Sequence, residues 1–117
     1  MNAEKKDIYQ LTKAFAIKIT KLYQQLTTVQ KEYIMSKQVF RSGTSIGANV
    51  FEGKEAQSRA DFSSKMSIAL KEASETGYWL DLLYSTGYID THVFHTLNDD
   101  CEHLKAILIN IVRATKQ

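Results

Sequence analysis

The chain has 117 residues, of which 44% are hydrophobic and 24% are charged, and its formal net charge is +2. This length predicts one domain, residues 1–117, and this composition excludes disordered and fibrous proteins. The chain has no proline and only five glycines. It therefore has little turn chemistry, which favours a few long elements.

Apolar residues recur at helical spacing in four segments of the chain. The stripe of the first helix consists of Ile8, Leu11, Phe15, Ile19, Leu22 and Leu26. A break at Thr27 and Thr28 precedes the second helix, which is predicted to run from about Glu32 to Glu52. Its interior contains Gly43 and Gly47, each of which costs about 1 kcal/mol relative to alanine. We expect both glycines to face a neighbouring helix that approaches closely.

Cap residues mark the remaining boundaries. Gly53 is placed to end the second helix in a left-handed cap. Ser58 is predicted to cap the third helix, with Asp61 completing a capping box, and Gly87 to close it. Asp90 is predicted to cap the fourth helix. Four helices of about 20–28 residues with short loops predict an all-α, antiparallel up-down-up-down four-helix bundle.

The middle of the chain carries three family motifs. The segment Phe40–Gly53 reads FRSGTSIGANVFEG, Asp61–Phe62 is followed by IALKE, and a tryptophan segment ends at Tyr88. In these motifs, and over roughly residues 8–112, the chain resembles the bacterial family named for the 23S rRNA intervening sequence. The resemblance implies a four-helix bundle that assembles into a ring, with a pentamer favoured. It also implies similarity to the accessory protein of diversity-generating retroelements, which binds nucleic acid and a reverse transcriptase.

Positive charge is concentrated in the first third of the chain. Residues 1–41 contain eight Lys/Arg and three Asp/Glu, whereas residues 42–117 contain seven and ten. The outer face of the first helix and its neighbourhood supply the candidate nucleic-acid contacts Lys6, Lys13, Lys18, Lys21 and Arg41. A solvated lysine face is the alternative interpretation.

Two further groups of residues are unusual for a small bundle. Arg41, Asn49, Glu52 and Glu72 lie near apolar stripes, so we expect a buried polar network within or between subunits; a ligand pocket is the alternative. Residues 78–84 are apolar at six of seven positions. A helix that is apolar all round cannot direct every side chain to one core, so the candidate oligomer interface is Ile68, Trp79 and Leu82.

The sequence favours no enzyme, cofactor or metal site. His92, His95, Asp99 and His103 share one helix face, but one straight helix rarely supplies a full set of ligands, and a polar stripe is the default. Cys101 lies on a core stripe, which indicates a buried and inert thiol. No Gly-rich phosphate loop or acid–base pair is recognisable.

A single cysteine, a first segment without an apolar signal region and the lack of a long apolar run predict a cytoplasmic protein without membrane contact. The leading functional hypothesis is a homo-oligomeric helical scaffold that binds RNA or DNA weakly. A protein-interaction module without nucleic acid and a small-molecule-binding bundle are the alternatives. The expected protein partner is a second copy of the chain. The resemblance adds a reverse transcriptase as a further candidate partner.

Overall fold

Four antiparallel helices form the part of the chain that the computed structural model describes, residues 6–116. Their bounds are α1 Ile8–Thr28, α2 Met35–Gly53, α3 Arg59–Ser85 and α4 Thr91–Thr115. Short loops join them, and α4 closes the bundle against α1 over a smaller area than the other neighbouring pairs share. The predicted all-α, up-down-up-down four-helix bundle is confirmed.

One hydrophobic core runs through the four helices, because each helix turns an apolar stripe inward. Ile19, Ile46, Ala69 and Leu108 are completely buried, one from each helix. Two rows of residues along α2 differ in their burial. Val39, Gly43, Ile46 and Val50 are buried, whereas the stripe of Phe40, Thr44, Gly47 and Phe51 is half-buried or exposed.

Side-chain caps begin α3 and α4 where the sequence predicts them. The Ser58 hydroxyl accepts a hydrogen bond from the Asp61 N–H at 3.0 Å, and the Asp90 carboxylate accepts one from the Val93 N–H at 2.8 Å. The second hydrogen bond of the predicted capping box, from the Ser58 N–H to the Asp61 side chain, does not form, so that part of the prediction is wrong. The Asp61 carboxylate accepts from the Gln57 N–H at 3.4 Å instead of from the Ser58 N–H.

The second helix begins three residues later than predicted, at Met35. Lys31 takes a left-handed backbone conformation, with φ of 57°, and Glu32 then folds back over the first turn of α2. Its carboxylate accepts hydrogen bonds from the N–H groups of three residues, at 3.1, 3.0 and 2.7 Å: Ile34, Met35 and Ser36. Glu32 is therefore the cap of α2 and not its first residue.

Close approach explains two glycines of α2, and backbone conformation explains the glycine that ends α3. A Cβ on Gly43 would lie 2.9 Å from the Ile19 side chain, and one on Gly47 would lie 3.4 Å from Thr12. The prediction that both face a neighbouring helix is thus confirmed. Gly87 has φ of +86° and ends α3, with the Tyr88 N–H bonded to the Leu83 carbonyl at 2.9 Å.

The prediction of a left-handed cap at Gly53 is wrong. Gly53 belongs to α2, and the residue that follows it, Lys54, has right-handed helical angles. A Cβ on Gly53 would come within 2.5 Å of the Met66 methyl group. The glycine leaves room for the end of the Met66 side chain of α3, and its backbone does not turn.

Candidate nucleic-acid interface

The outer face of α1 presents two exposed lysines to solvent. Lys13 and Lys21 are eight residues apart, which places them on the same side of the helix about 12 Å apart along its axis. Between them Ile17 is 49% exposed. Lys6, which precedes the N-cap of α1, is also exposed. These three lysines remain accessible in the single chain.

Carboxylates on this side of the bundle are occupied by structural contacts. Residues 6–54, here called the α1–α2 half, contain eight Lys/Arg and three Asp/Glu. Asp7 caps α1 by accepting from the Gln10 N–H at 2.9 Å, and Glu32 caps α2. Glu52 accepts from the Lys65 ammonium at 2.9 Å. The positive charge of this half is therefore little compensated by carboxylates within it.

Two of the predicted nucleic-acid contacts are engaged in ion pairs between helices. The Lys18 ammonium lies 2.7 Å from the Asp100 carboxylate of α4. The Arg41 guanidinium lies 3.3 Å from Glu72 and 2.5 Å from Glu75 of α3. A hydrogen bond from Arg41, supported by one from Trp79, lowers the pKa of Glu75. Lys18 and Arg41 would have to break these contacts to bind a phosphate.

A groove of about 470 Å³ lies between α1 and α2. Tyr9 and Phe51 supply aromatic rings to it, and Lys13 and Lys54 supply ammonium groups. The Lys54 ammonium lies 4.9 Å from the centre of the Tyr9 ring and 5.6 Å from that of Phe51. Sequence reasoning did not select Lys54. Its position one turn after Phe51 would have been the available signal.

A family model described as 23S rRNA-intervening sequence protein matches residues 4–110, which is nearly the whole chain.

The chain belongs to this family.

A crystal structure at 1.70 Å of a protein with unknown function from the S23 ribosomal protein family of Bacteroides thetaiotaomicron VPI-5482 is similar to it. The two share 49% sequence identity over 91% of this chain and 98% of the other, with a TM-score of 0.89. No curated protein matches the chain. The family membership confirms the resemblance on which the fold expectation rested. The relation to the retroelement accessory protein stays a prediction.

In this member of the 23S rRNA-intervening sequence family, the candidate interface residues differ in their exposure. Ile68 is 38% exposed, whereas Trp79 and Leu82 are half-buried and Trp79 packs against the core. The exposed aromatic side chain nearby is Tyr78 at 59%. Tyr84 stacks on Phe94 of α4 with ring centres 4.5 Å apart. The apolar residues 78–84 are thus divided among the core, α4 and the surface.

Within the single chain, the four residues of the expected polar network do not form one buried group. Arg41 and Glu52 are exposed, and Asn49 bonds to the Ser45 carbonyl of its own helix at 2.9 Å. Glu72 is half-buried and belongs to the Arg41 ion pair. Arg41 and Glu52 lie three turns apart on α2 and reach different parts of α3. A network between subunits stays a prediction.

Cys101 is completely buried, as predicted, and its thiol lies 3.1 Å from the Ala73 carbonyl oxygen. Burial raises the pKa of this thiol to about 11. Within residues 6–116, no group of three or more His, Cys, Asp or Glu side chains is arranged to hold a metal ion. No helix in the same range is long and apolar enough to cross a membrane.

Proposed function

We propose that this protein is a homo-oligomeric helical scaffold that binds RNA or DNA weakly, and without sequence preference, through its α1–α2 half. The observation that carries the proposal is the exposed lysine face of α1, on a half of the bundle whose carboxylates are already used as caps or ion-pair partners. Lys6, Lys13 and Lys21 form the contact surface, and Lys54 extends it. Such a surface suits a polyanion.

One protomer offers few phosphate contacts, so assembly is part of the proposal. A ring repeats the lysine face around its circumference, and linked contacts raise the overall affinity without new chemistry. Residues 55–116, the α3–α4 half, contain six Lys/Arg and nine Asp/Glu. This half is therefore not the surface that a polyanion would contact. The outer face of α3, with Ile68 and Tyr78 exposed, is the proposed apolar part of the interface.

The test of binding is a salt series with duplex DNA and a structured rRNA fragment. The series starts at about 50 mM salt, because phosphate contacts are strongest at low salt. Reversing two charges, with Lys13→Glu and Lys21→Glu, should abolish binding. The matched control reverses two exposed cations at the end of α4, Arg113 and Lys116, to glutamate. Both double variants have the same net charge, so only the position of the charges differs.

Binding by the wild type with a linear log–log salt dependence, lost in the α1 variant and kept in the control, supports the proposal. Equal losses in both variants would mean that net charge alone is responsible. If the wild type binds neither nucleic acid at about 50 mM salt, a scaffold that contacts only proteins replaces this proposal. The retroelement resemblance makes a reverse transcriptase the protein partner to test in that case.

The test of assembly is sedimentation at micromolar concentration. Ile68→Glu should dissociate the oligomer, because a charge would be buried at the interface. Val29→Glu replaces an apolar residue that is 69% exposed in the α1–α2 loop, and it should leave the oligomer intact. Trp79→Glu should also dissociate the oligomer, but its partial burial requires a melting curve to show that the chain remains folded. A 13.3 kDa wild-type species would contradict the proposal.

A further inference from the structure

We infer that the groove between α1 and α2 takes unpaired bases, so that the preferred ligand of this protein is a single-stranded nucleic acid. This inference rests on the proposed function and specifies its ligand. It is carried by two aromatic rings and two ammonium groups that share one groove.

The groove exposes the aromatic ring of Phe51, which the core does not use, beside Tyr9, which packs against the core. Phe51 is 63% exposed, although its neighbour Val50 is completely buried in the core. Tyr9 is half-buried at the opposite wall of the groove. An exposed ring in a concave apolar site offers a stacking platform for a nucleobase, since every base has an aromatic face.

The charge of the groove suits a phosphate chain. Lys13 and Lys54 line it, and no carboxylate is among the described residues that do. In the free protein the Lys54 ammonium lies over the rings of Tyr9 and Phe51. An exposed cation–π contact is worth about 0.5–1 kcal/mol, whereas stacking of a base on an aromatic side chain is worth about 1–3 kcal/mol. A base therefore displaces the ammonium, which then becomes available to the adjacent phosphate.

The two threonine hydroxyls that line the groove already donate within their own helices, so neither is free to donate to a base edge. The Thr12 hydroxyl donates to the Ile8 carbonyl at 2.8 Å, and the Thr44 hydroxyl donates to the Phe40 carbonyl at 2.7 Å. Both donors are used within their own helices. Recognition by stacking and charge alone tolerates any sequence, in keeping with the proposed function.

A duplex cannot use this groove. Its bases are already stacked and paired, so it presents mainly phosphates to the lysines of α1. The volume of about 470 Å³ lies within the range of small-ligand sites and suits an unstacked base. The groove is lined by residues of α1 and α2, whereas the proposed interface residues Ile68 and Tyr78 belong to α3.

The test compares a labelled single strand with a duplex of the same length, by fluorescence anisotropy on the full-length oligomer. Phe51→Ala should weaken binding of the single strand at least fivefold, which corresponds to the loss of one stacked base, and change duplex binding less than twofold. Phe51→Trp should retain the preference for the single strand. Tyr33→Ala is the matched control, because Tyr33 is an aromatic residue that is 59% exposed outside the groove.

The outcomes separate this inference from the function on which it rests. If the wild type binds both ligands and Phe51→Ala weakens neither, the inference is wrong while the proposed function stands. If the Lys13→Glu, Lys21→Glu variant retains full binding, the proposed surface is wrong as well. If Phe51→Ala dissociates the oligomer in sedimentation, the groove is a contact between copies of the chain, and the inference is overturned.

Discussion

The α1–α2 half and the α3–α4 half of the bundle solve the same packing problem with different residues. In the first, glycine lies in a helix interior against Ile19, a lysine takes a left-handed conformation, and Phe51 is left exposed. In the second, glycine takes the left-handed position at Gly87, whereas stacked aromatic rings join the helices in both halves. Departures from local preference often accompany functional surfaces. They concentrate here on the basic half, where we place binding.

The largest effect is expected where the two helices of the basic half approach each other most closely. Gly43→Leu should lower the free energy of unfolding by about 1–3 kcal/mol, because its side chain would overlap Ile19. Gly47→Ala is the matched variant: its Cβ would lie 3.4 Å from Thr12, and it gains about 1 kcal/mol of helix propensity. Thermal melts should show a lower Tm for the first variant and an unchanged or higher one for the second.

If Gly43→Leu melts at or above the parent temperature, close packing is not the reason for this glycine. Equal destabilisation by both variants would mean that the whole face of α2, and not the Ile19 contact alone, is tightly packed.

The next largest effect on stability is expected at the start of α2. There the Glu32 carboxylate accepts from three N–H groups, whereas Asp90 at the start of α4 accepts from one. Burial of Glu32 favours its neutral form, but hydrogen bonds from the N–H groups of Met35, Ser36 and Ile34 outweigh this and lower its pKa below 4.5. Glu32→Ala should cost about 1–2 kcal/mol at pH 7 in urea unfolding. Because the folded-state pKa is the lower one, this contribution is present above pH 4.5 and is lost as the pH falls through the folded pKa.

Wild type and Glu32→Ala should therefore converge in stability in acid. Glu55→Ala, which removes an exposed carboxylate next to the other end of α2, should leave the acid dependence unchanged. A stability difference for Glu32→Ala that does not shrink at low pH would show that the ionised carboxylate is not what caps the helix.

A smaller effect on stability is expected at the two loop residues with left-handed backbone angles, Lys31 and Gly87. No atom lies within 4 Å of a Cβ placed on Gly87, so Gly87→Ala isolates the backbone strain and should cost about 1 kcal/mol. Lys31→Gly relieves the same strain in the α1–α2 loop, but glycine also gives the unfolded chain more freedom. A gain below about 1 kcal/mol is expected. Thermal melts of the two variants should show a lower Tm for Gly87→Ala and a higher Tm for Lys31→Gly. Two Tm changes in the same direction would contradict this account.

The smallest effect is expected where the two halves meet in an ion pair. The Arg41 side chain is 48% exposed and that of Glu75 is 39% exposed, so solvent screens their attraction. Arg41→Ala should cost less than about 1 kcal/mol, and less still at high salt. Lys105→Ala, which removes a pair within α4, is the control. A loss above about 2 kcal/mol for Arg41→Ala would mean that this contact is a principal connection between the halves.

Much of the fold could be predicted because its determinants are local. The periodicity of apolar residues identified four helices, and Ser58 and Asp90 marked the starts of two of them, since a cap and its partner lie three residues apart. The candidate site was predicted in part. Lys13 and Lys21 are exposed on one face as their spacing requires, whereas Lys18 and Arg41 are engaged with carboxylates on α4 and α3. No spacing along α1 or α2 contains those partners.

The number of helices, the inward face of each and the close approach at Gly43 could be derived from the sequence alone. Only the tertiary structure decided that Glu32 caps α2, that Gly53 makes room for Met66 and that Lys54 shares a groove with Tyr9. The physical reason is the range of the interactions. Helical hydrogen bonds and caps join residues a few positions apart, whereas these contacts depend on how loops bend and on which distant side chains the packed helices bring together.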